Sequence, residues 1–193
     1  MWRPFFYQRI SSIHFRTYAM ALIPYANLAD PAIKPLADRI EAERGSVLHL
    51  YQMLLHSPPV AAGWLGYLTA IRQQSSLDGA LRELVIMRVA VLNGAPYEAE
   101  QHAPIALQEG VSQAQLDALD NWETADCFSD EQRAVLAYTD AMTRTVQVPP
   151  EVSRAVRACM SERLLVELTA TVAAYNMVSR FLEAMQIHSH DER

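Results

Sequence analysis

Helix start and stop signals punctuate this chain from Asp30 to Ser161, and no segment between them alternates apolar and polar residues with a period of two. Asp30-Pro31 opens a first helix, which runs to about Arg44 and is closed by Gly45. A second helix carries Val47, Leu48, Leu50, Tyr51, Leu54 and Leu55. Ser57-Pro58-Pro59 stops it and starts a third, with Trp64, Leu65, Leu68 and Ile71. Asp78 caps a helix through Leu92 that Asn93-Gly94 ends in the left-handed manner, and Pro96 restarts the chain for a helix to Glu109. Ser112 with Gln115, and Ser129 with Gln132, have capping-box spacing, the second opening a helix through about Thr145. Pro149-Pro150 begins a short helix ending near Cys159, and Ser161 caps the longest, Glu162 to about Gln186. Helices separated by such short turns make a compact all-α bundle, here a single domain over residues 21–193. A glycine count of only six agrees with that reading.

Two helices are apolar nearly all round. The segment Ala80–Leu92 is interrupted only by Arg82, Glu83 and Arg88. Leu164–Met185 has Glu167, Asn176, Arg180 and Glu183 as its strongly polar residues. A helix without a polar face is buried or covered by a partner. Both helices are therefore expected to be central, and to help form the interface of a homo-oligomer, because they offer more apolar faces than a small monomeric bundle covers.

Charge and cysteine usage narrow the function classes. The net charge of −6 argues against a nucleic-acid partner. Residues 1–20 stand apart, with Arg3, Arg9 and Arg16, no acid, and six aromatic residues before Met20. They read as a leader outside the fold, either an overcalled start with translation from Met20 or a mitochondrial presequence, the first being favoured. The expected compartment is the cytoplasm, or the mitochondrion if that leader is genuine. Cys127 and Cys159 are too few for a disulfide scaffold and form no CxxC pair. No apolar run is long enough to span a bilayer, so no membrane partner is expected.

Chemistry concentrates around one turn. Glu98 and His102 are four apart on the helix opened by Pro96, which puts both on one face. Glu83 lies 19 residues before His102, and the turn at Asn93–Pro96 folds its helix back toward that face. A carboxyl group in apolar surroundings has a raised pKa, and an imidazole beside a carboxylate has a fixed tautomer, so the three together can take up and return a proton. Glu98 at the third helical position would also suit a plain surface pair with His102. The lone acid Glu83, in so apolar a helix, needs a partner and shifts the balance toward a site.

The segment Arg82-Glu83-Leu84-Val85, Asn93-Gly94-Ala95-Pro96-Tyr97-Glu98, His102 and Glu109-Gly110-Val111-Ser112 resembles the carboxymuconolactone decarboxylase and alkyl hydroperoxidase D-like family. Phe128-Ser129-Asp130-Glu131-Gln132-Arg133, Leu165-Val166-Glu167-Leu168 and Tyr175-Asn176-Met177-Val178-Ser179-Arg180-Phe181 extend the likeness over roughly residues 24–187. The resemblance implies an all-helical fold and an obligate oligomer. The family's peroxidase branch uses Cys-x-x-Cys-x-x-x-His with an upstream Glu. Laid on this chain, the upstream Glu is Glu83, the His is His102, and the two cysteine positions fall on Ala95 and Glu98. With both sulfurs absent, the resemblance points to the decarboxylase-like branch, which keeps Glu and His and needs no cofactor.

The resulting expectation is a cofactor-free acid–base enzyme acting on a small organic acid or lactone by decarboxylation, isomerisation or hydrolysis. His102 is its proton donor, Glu98 orients His102, and Glu83 sets the charge balance. Substrate contacts are expected from Arg88, Tyr97, Tyr175, Asn176 and Arg180, with Arg88 or Arg180 holding a carboxylate. Arg88 reads equally as a structural counter-charge, and Asn176 with Arg180 as a buried polar pair. Two other classes stay open: a peroxidase-related antioxidant protein and a non-catalytic oligomeric module with a relict site. No metal is expected, because the di-iron signature needs Glu-x-x-His on two helices. His49 and His56, and the aromatic residues Trp64, Tyr67 and Trp122, read as packing residues.

Overall fold

The computed structural model describes residues 21–191, and the leader expected over residues 1–20 lies outside them. The described chain is all helical, without strands: α1 Lys34–Arg44, α2 His49–Leu54, α3 Pro58–Thr69, α4 Gly79–Asn93, α5 Pro96–Gln108, α6 Gln113–Ala118, α7 Asp130–Thr145, α8 Pro150–Cys159 and α9 Glu162–Ala184. A π-helical turn, Ala70–Gln74, continues α3, and a 3-10 turn, Leu119–Asn121, continues α6.

The local signals fix most boundaries. Asp78 Oδ1 accepts from the Leu81 amide at 3.0 Å, and Ser161 Oγ from that of Leu164 at 3.3 Å. Both capping boxes form. Gly94 takes φ 61° and ψ 43° after α4, a left-handed conformation open to glycine without a Cβ penalty, and it turns α5 back along α4. α1 starts three residues later than Asp30-Pro31 suggests. Asp30 Oδ1 instead closes a turn onto the Ala32 amide at 2.9 Å, and Pro35 takes a first-turn position of the helix, where its missing amide has no helical partner to lose.

α4 is the axis of the bundle and packs against α5, α7 and α9. Every residue from Leu81 to Ala90 is buried, as its composition requires. That coverage is complete within one chain, so α4 supplies no open apolar face and the sequence argument that it belongs to a subunit contact is corrected. α9 is different. Leu168, Val172, Tyr175, Val178 and Leu182 face inward, whereas Val166 is 67% exposed. Tyr67 on α3, expected in the core, is exposed beside α9, its hydroxyl donating to the Ala170 carbonyl at 3.4 Å.

The cationic residue in the middle of α4 closes the bundle on its α7 side. Arg88 is 1% exposed; its Nε and Nη2 donate to the two carboxylate oxygens of Asp140 on α7, each at 2.6 Å, and its Nη1 donates to the Leu119 carbonyl at 2.7 Å. The guanidinium is consumed by this fork. Arg88 is therefore a counter-charge inside the fold, and its expected role as a carboxylate holder is withdrawn.

Candidate active site

The other buried charge of α4 faces α5. Glu83 is fully buried, and its Oε2 lies 2.7 Å from Nδ1 of His102, while its Oε1 accepts from Arg82 Nε at 3.3 Å. Burial pushes the Glu83 carboxyl up, but the hydrogen bond and charge of His102, with Arg72 and Arg82, outweigh it and hold the group below its ordinary value. For His102, burial is the leading effect and pushes the imidazole down; Glu83 opposes it and the two arginines add to it, leaving the pKa lowered. The state that satisfies both directions is an ionised Glu83 receiving the Nδ1 proton of a neutral imidazole. Nε2 then carries a free lone pair, and it has no hydrogen-bond partner among the described residues. The Tyr175 ring stands edge-on to His102, with centroids 5.1 Å apart at 89°, and fixes the plane of the imidazole.

Glu98 is buried at 2% exposure, which removes the surface-pair reading, but it does not bond His102. Its Oε2 lies 2.5 Å from Ser179 Oγ, and that hydroxyl also lies 2.9 Å from the Tyr175 carbonyl. A hydroxyl has one proton and a carbonyl accepts only. Ser179 Oγ thus has one proton for two acceptors, and a protonated Glu98 that donates to Ser179 leaves the hydroxyl free to donate to the Tyr175 carbonyl. Burial, opposed by Ser179 and helped by the charge of Glu183, raises this carboxyl to about 8, which agrees with a neutral acid. The sequence expectation that Glu98 orients the imidazole is corrected: Glu83 does so, and Glu98 is anchored through α9.

Tyr97, Glu98, Gln101, His102 and Tyr175 line one cavity of about 40 Å³, together with Leu48, Leu50, Tyr51, Leu68, Arg72, Val178 and Leu182. Tyr97 and Tyr175, expected from the sequence as substrate contacts, are both among the lining residues. Asn176 and Arg180 do not line it. The Asn176 amide group bridges α9 to α7 and α4, donating to Thr143 Oγ1 at 2.9 Å and accepting from Asn93 Nδ2 at 3.2 Å, while exposed Arg180 donates to Asn176 Oδ1 at 2.5 Å. Within one chain these side chains meet each other and the packed helices, and neither contributes to this cavity as the sequence suggests.

Two lining residues escape sequence reasoning. Arg72 projects from the π-helical turn and is half-buried, without a hydrogen bond or ion pair among the described residues. Its signal is there to be read: it is the only lysine or arginine between Gly45 and Leu81. Tyr51 is 3% exposed, and its hydroxyl has no partner among the described residues. A tyrosine inside an apolar helix pattern carries no such signal.

A larger cavity of about 220 Å³ lies at the N-termini of α4, α7 and α9. Its lining holds Asp78 and Glu131 but no histidine and no cation, so it offers no acid–base pair. Cys127 and Cys159 are both exposed and outside either cavity. Among the described residues, no three His, Cys, Asp or Glu side chains are gathered as a metal site. No helix among them is long and apolar enough to cross a membrane.

The model of the carboxymuconolactone decarboxylase family matches residues 58–141. The uncharacterized protein YnjA of Escherichia coli K12 is 33% identical over 129 residues, 65% of this chain and 66% of its own length. Among solved structures, an uncharacterized peroxidase-related protein with an alkylhydroperoxidase AhpD core from Ralstonia eutropha JMP134 superposes with a TM-score of 0.76 at 18% identity, over 90% of this chain and 94% of that one. A cysteine-to-alanine variant of the debrominase Bmp8, in complex with 2,3,4-tribromopyrrole, superposes with a TM-score of 0.72 at 21% identity, over 91% and 94%.

Proposed function

Because the chain belongs to the carboxymuconolactone decarboxylase family and has the alkyl hydroperoxidase D-like all-helical fold, we propose that its cavity is the active site of a cofactor-free acid–base enzyme acting on a small organic acid or lactone. The observation that carries this reading is the Glu83–His102 hydrogen bond with Nε2 left unpartnered at the cavity wall. A neutral imidazole fixed in this tautomer is a general base. A neutral carboxyl group on the same wall is a general acid. Their pKa values move in opposite directions for physical reasons, Glu98 upward by burial and His102 downward by burial. In an isomerisation, His102 Nε2 takes the proton from carbon next to a carbonyl and Glu98 protonates the oxygen; the return of a proton at another carbon completes the reaction. In a decarboxylation, the electron pair of the breaking C–C bond stays on the substrate as an enolate, CO2 leaves, and the enolate takes its proton from Glu98, which is reprotonated from solvent.

The test is proton exchange on a small neutral lactone. α-Angelica lactone has an acidic C–H beside its carbonyl and isomerises when that proton moves. The expected result in D2O is protein-dependent deuterium uptake or isomerisation that is lost in His102→Gln. Absence of both in the native protein, with the fold intact, would remove the acid–base reading.

The same reading includes a second copy of the chain over the open face of α9 and α3, where Val166 is 67%, Val60 50% and Tyr67 43% exposed. Light scattering should give a multiple of the 21.7 kDa chain mass, and Val166→Glu should lower it. A monomer at micromolar concentration excludes this assembly.

A further inference from the structure

The cavity holds more unpaired polar groups than proton transfer requires. His102 Nε2 and Glu98 account for an acid and a base. Two donors remain. The Tyr51 hydroxyl is buried without an acceptor among the described residues, and Arg72 brings a guanidinium without a counter-ion among them to the same lining. A buried hydroxyl without a partner is costly, so its persistence calls for a ligand that supplies an acceptor. Glu98 Oε1 is likewise buried and unpartnered, and it lies in the same lining.

No described carboxylate forms an ion pair with Arg72, although Glu83 feels its charge at longer range. The ionised carboxylate beside the cavity is Glu83, and it is spent on His102 and Arg82. Arg82 is shared with Glu109 at 3.3 Å. His102 and Glu98 are both neutral. Arg72 therefore brings to the cavity a guanidinium with no bonded counter-ion among the described residues, a planar donor whose geometry fits a carboxylate with two parallel hydrogen bonds. The backbone supports the same conclusion. Arg72 sits in the middle of the π-helical turn Ala70–Gln74, an irregularity of helix bonding that is frequent at functional sites.

We propose that Arg72 and Tyr51 form an oxyanion anchor, and that the cavity selects substrates carrying a carboxylate beside the carbon that exchanges its proton. This rests on the acid–base reading only for the location of the reacting carbon. The anchor itself is a binding site and is tested by binding. The ligand class is a small monoanionic oxo acid or acid-bearing lactone, whose entry widens the cavity of about 40 Å³, held by the carboxylate at Arg72 and Tyr51 with its acidic C–H toward His102 Nε2.

The experiment titrates the full chain with 4-oxopentanoate and, separately, with its uncharged amide 4-oxopentanamide, by calorimetry and by the rise in melting temperature. The native protein should prefer the carboxylate by on the order of tenfold or more, the scale of a charge-assisted hydrogen bond. Arg72→Gln should erase that preference while leaving the weak affinity for the amide. Arg72→Lys should restore part of it, and Tyr51→Phe should reduce it several-fold. Arg72→Gln removes no hydrogen bond to the described residues, so its unliganded melting temperature should match the native one. A second readout separates charge at the site from general structural damage: the His102 ring followed by NMR should titrate at higher pH in Arg72→Gln, because a repelling cation has gone. Equal binding of the two probes by the native protein, absence of binding by both at millimolar concentration, or a preference that survives Arg72→Gln overturns the anchor. Carboxylate preference without exchange on α-angelica lactone would sink the acid–base reading and keep the anchor; exchange on the lactone without carboxylate preference would do the reverse.

Discussion

Glu83 and Arg88 sit five residues apart on α4, both buried and both charged, yet their surroundings differ in kind. Arg88 meets a bidentate carboxylate and a carbonyl, and Asp140 gains a third contact from Trp122 Nε1 at 3.5 Å. Every strong donor on that side of the helix has an acceptor. On the other side, Glu83 is paired, but the partner it fixes turns a bare Nε2 to a cavity, and Tyr51, Glu98 and Arg72 add groups with unused capacity. Buried charge alone therefore does not mark function. A closed set of hydrogen bonds specifies packing, whereas an open set around one cavity specifies a ligand.

The closed side should break hardest in stability. Arg88→Met leaves buried Asp140 with only the longer contacts to Trp122 Nε1 at 3.5 Å and Arg144 at 3.7 Å, and the expected loss is about 3–5 kcal/mol, read from chemical denaturation. The paired change Arg88→Met with Asp140→Leu should recover most of that loss, because the pair offsets its own desolvation only partly. If the single variant unfolds no more easily than the native chain, the contrast between the two sides of α4 fails.

The open side should break hardest in rate. His102→Gln is expected to lower exchange on the lactone by roughly 10²- to 10⁴-fold in a chain that remains folded. Glu83→Gln should also lower it and change the pH profile, because an amide no longer fixes the Nδ1 proton. A full rate in His102→Gln would place the base elsewhere.

The pH dependence of stability sharpens the comparison further. Glu98 is raised from 4.5 to about 8, so between those values the folded chain holds a proton that the unfolded chain has released. Its stabilising contribution is complete below about pH 4.5 and is lost as pH rises through 8, on the order of a few kcal/mol in all. Glu83 runs the other way: its lowered value adds stability above the ordinary carboxylate range that is lost as pH falls below it. Glu98→Gln should flatten the decline on the alkaline side, measured as melting temperature from pH 5 to pH 9, and leave the acid limb in place. An unchanged alkaline limb in that variant would show that Glu98 is ionised at neutral pH.

What is legible in the sequence follows from how local each signal is. Caps at Asp78, Ser112, Ser129 and Ser161, and the turn at Gly94, act within three or four residues and can be read directly. So can the meeting of Glu83 with His102, since one short turn determines it. The division of labour between the carboxyl groups is not readable, because Glu98 is fixed by Ser179, 81 residues away. Arg88 passes for an anchor in the sequence because its partner Asp140 lies 52 residues on, in a helix whose pattern says nothing of pairing. Arg72 is easily passed over because a π-helical turn has no periodic signature, and only its isolation as a cation hints at use.

The smallest expected effect lies at the two thiols, and its smallness is informative. Cys127 and Cys159 are exposed and line neither cavity. The Cys159 thiol is pushed up by burial and by Glu131, away from the thiolate that peroxide chemistry needs. Ala95 and Glu98 occupy the positions where the resemblance puts the paired sulfurs, and Glu98 there is a neutral acid held by Ser179. The double variant Cys127→Ser with Cys159→Ser should therefore keep its melting temperature within about a degree, as surface changes usually do, and keep full exchange on the lactone. Peroxide consumption with a dithiol reductant should stay at background in native and variant alike. Robust peroxide turnover that vanishes in the double variant would move the chemistry out of the cavity altogether, and with it the distinction between the closed and open sides of α4.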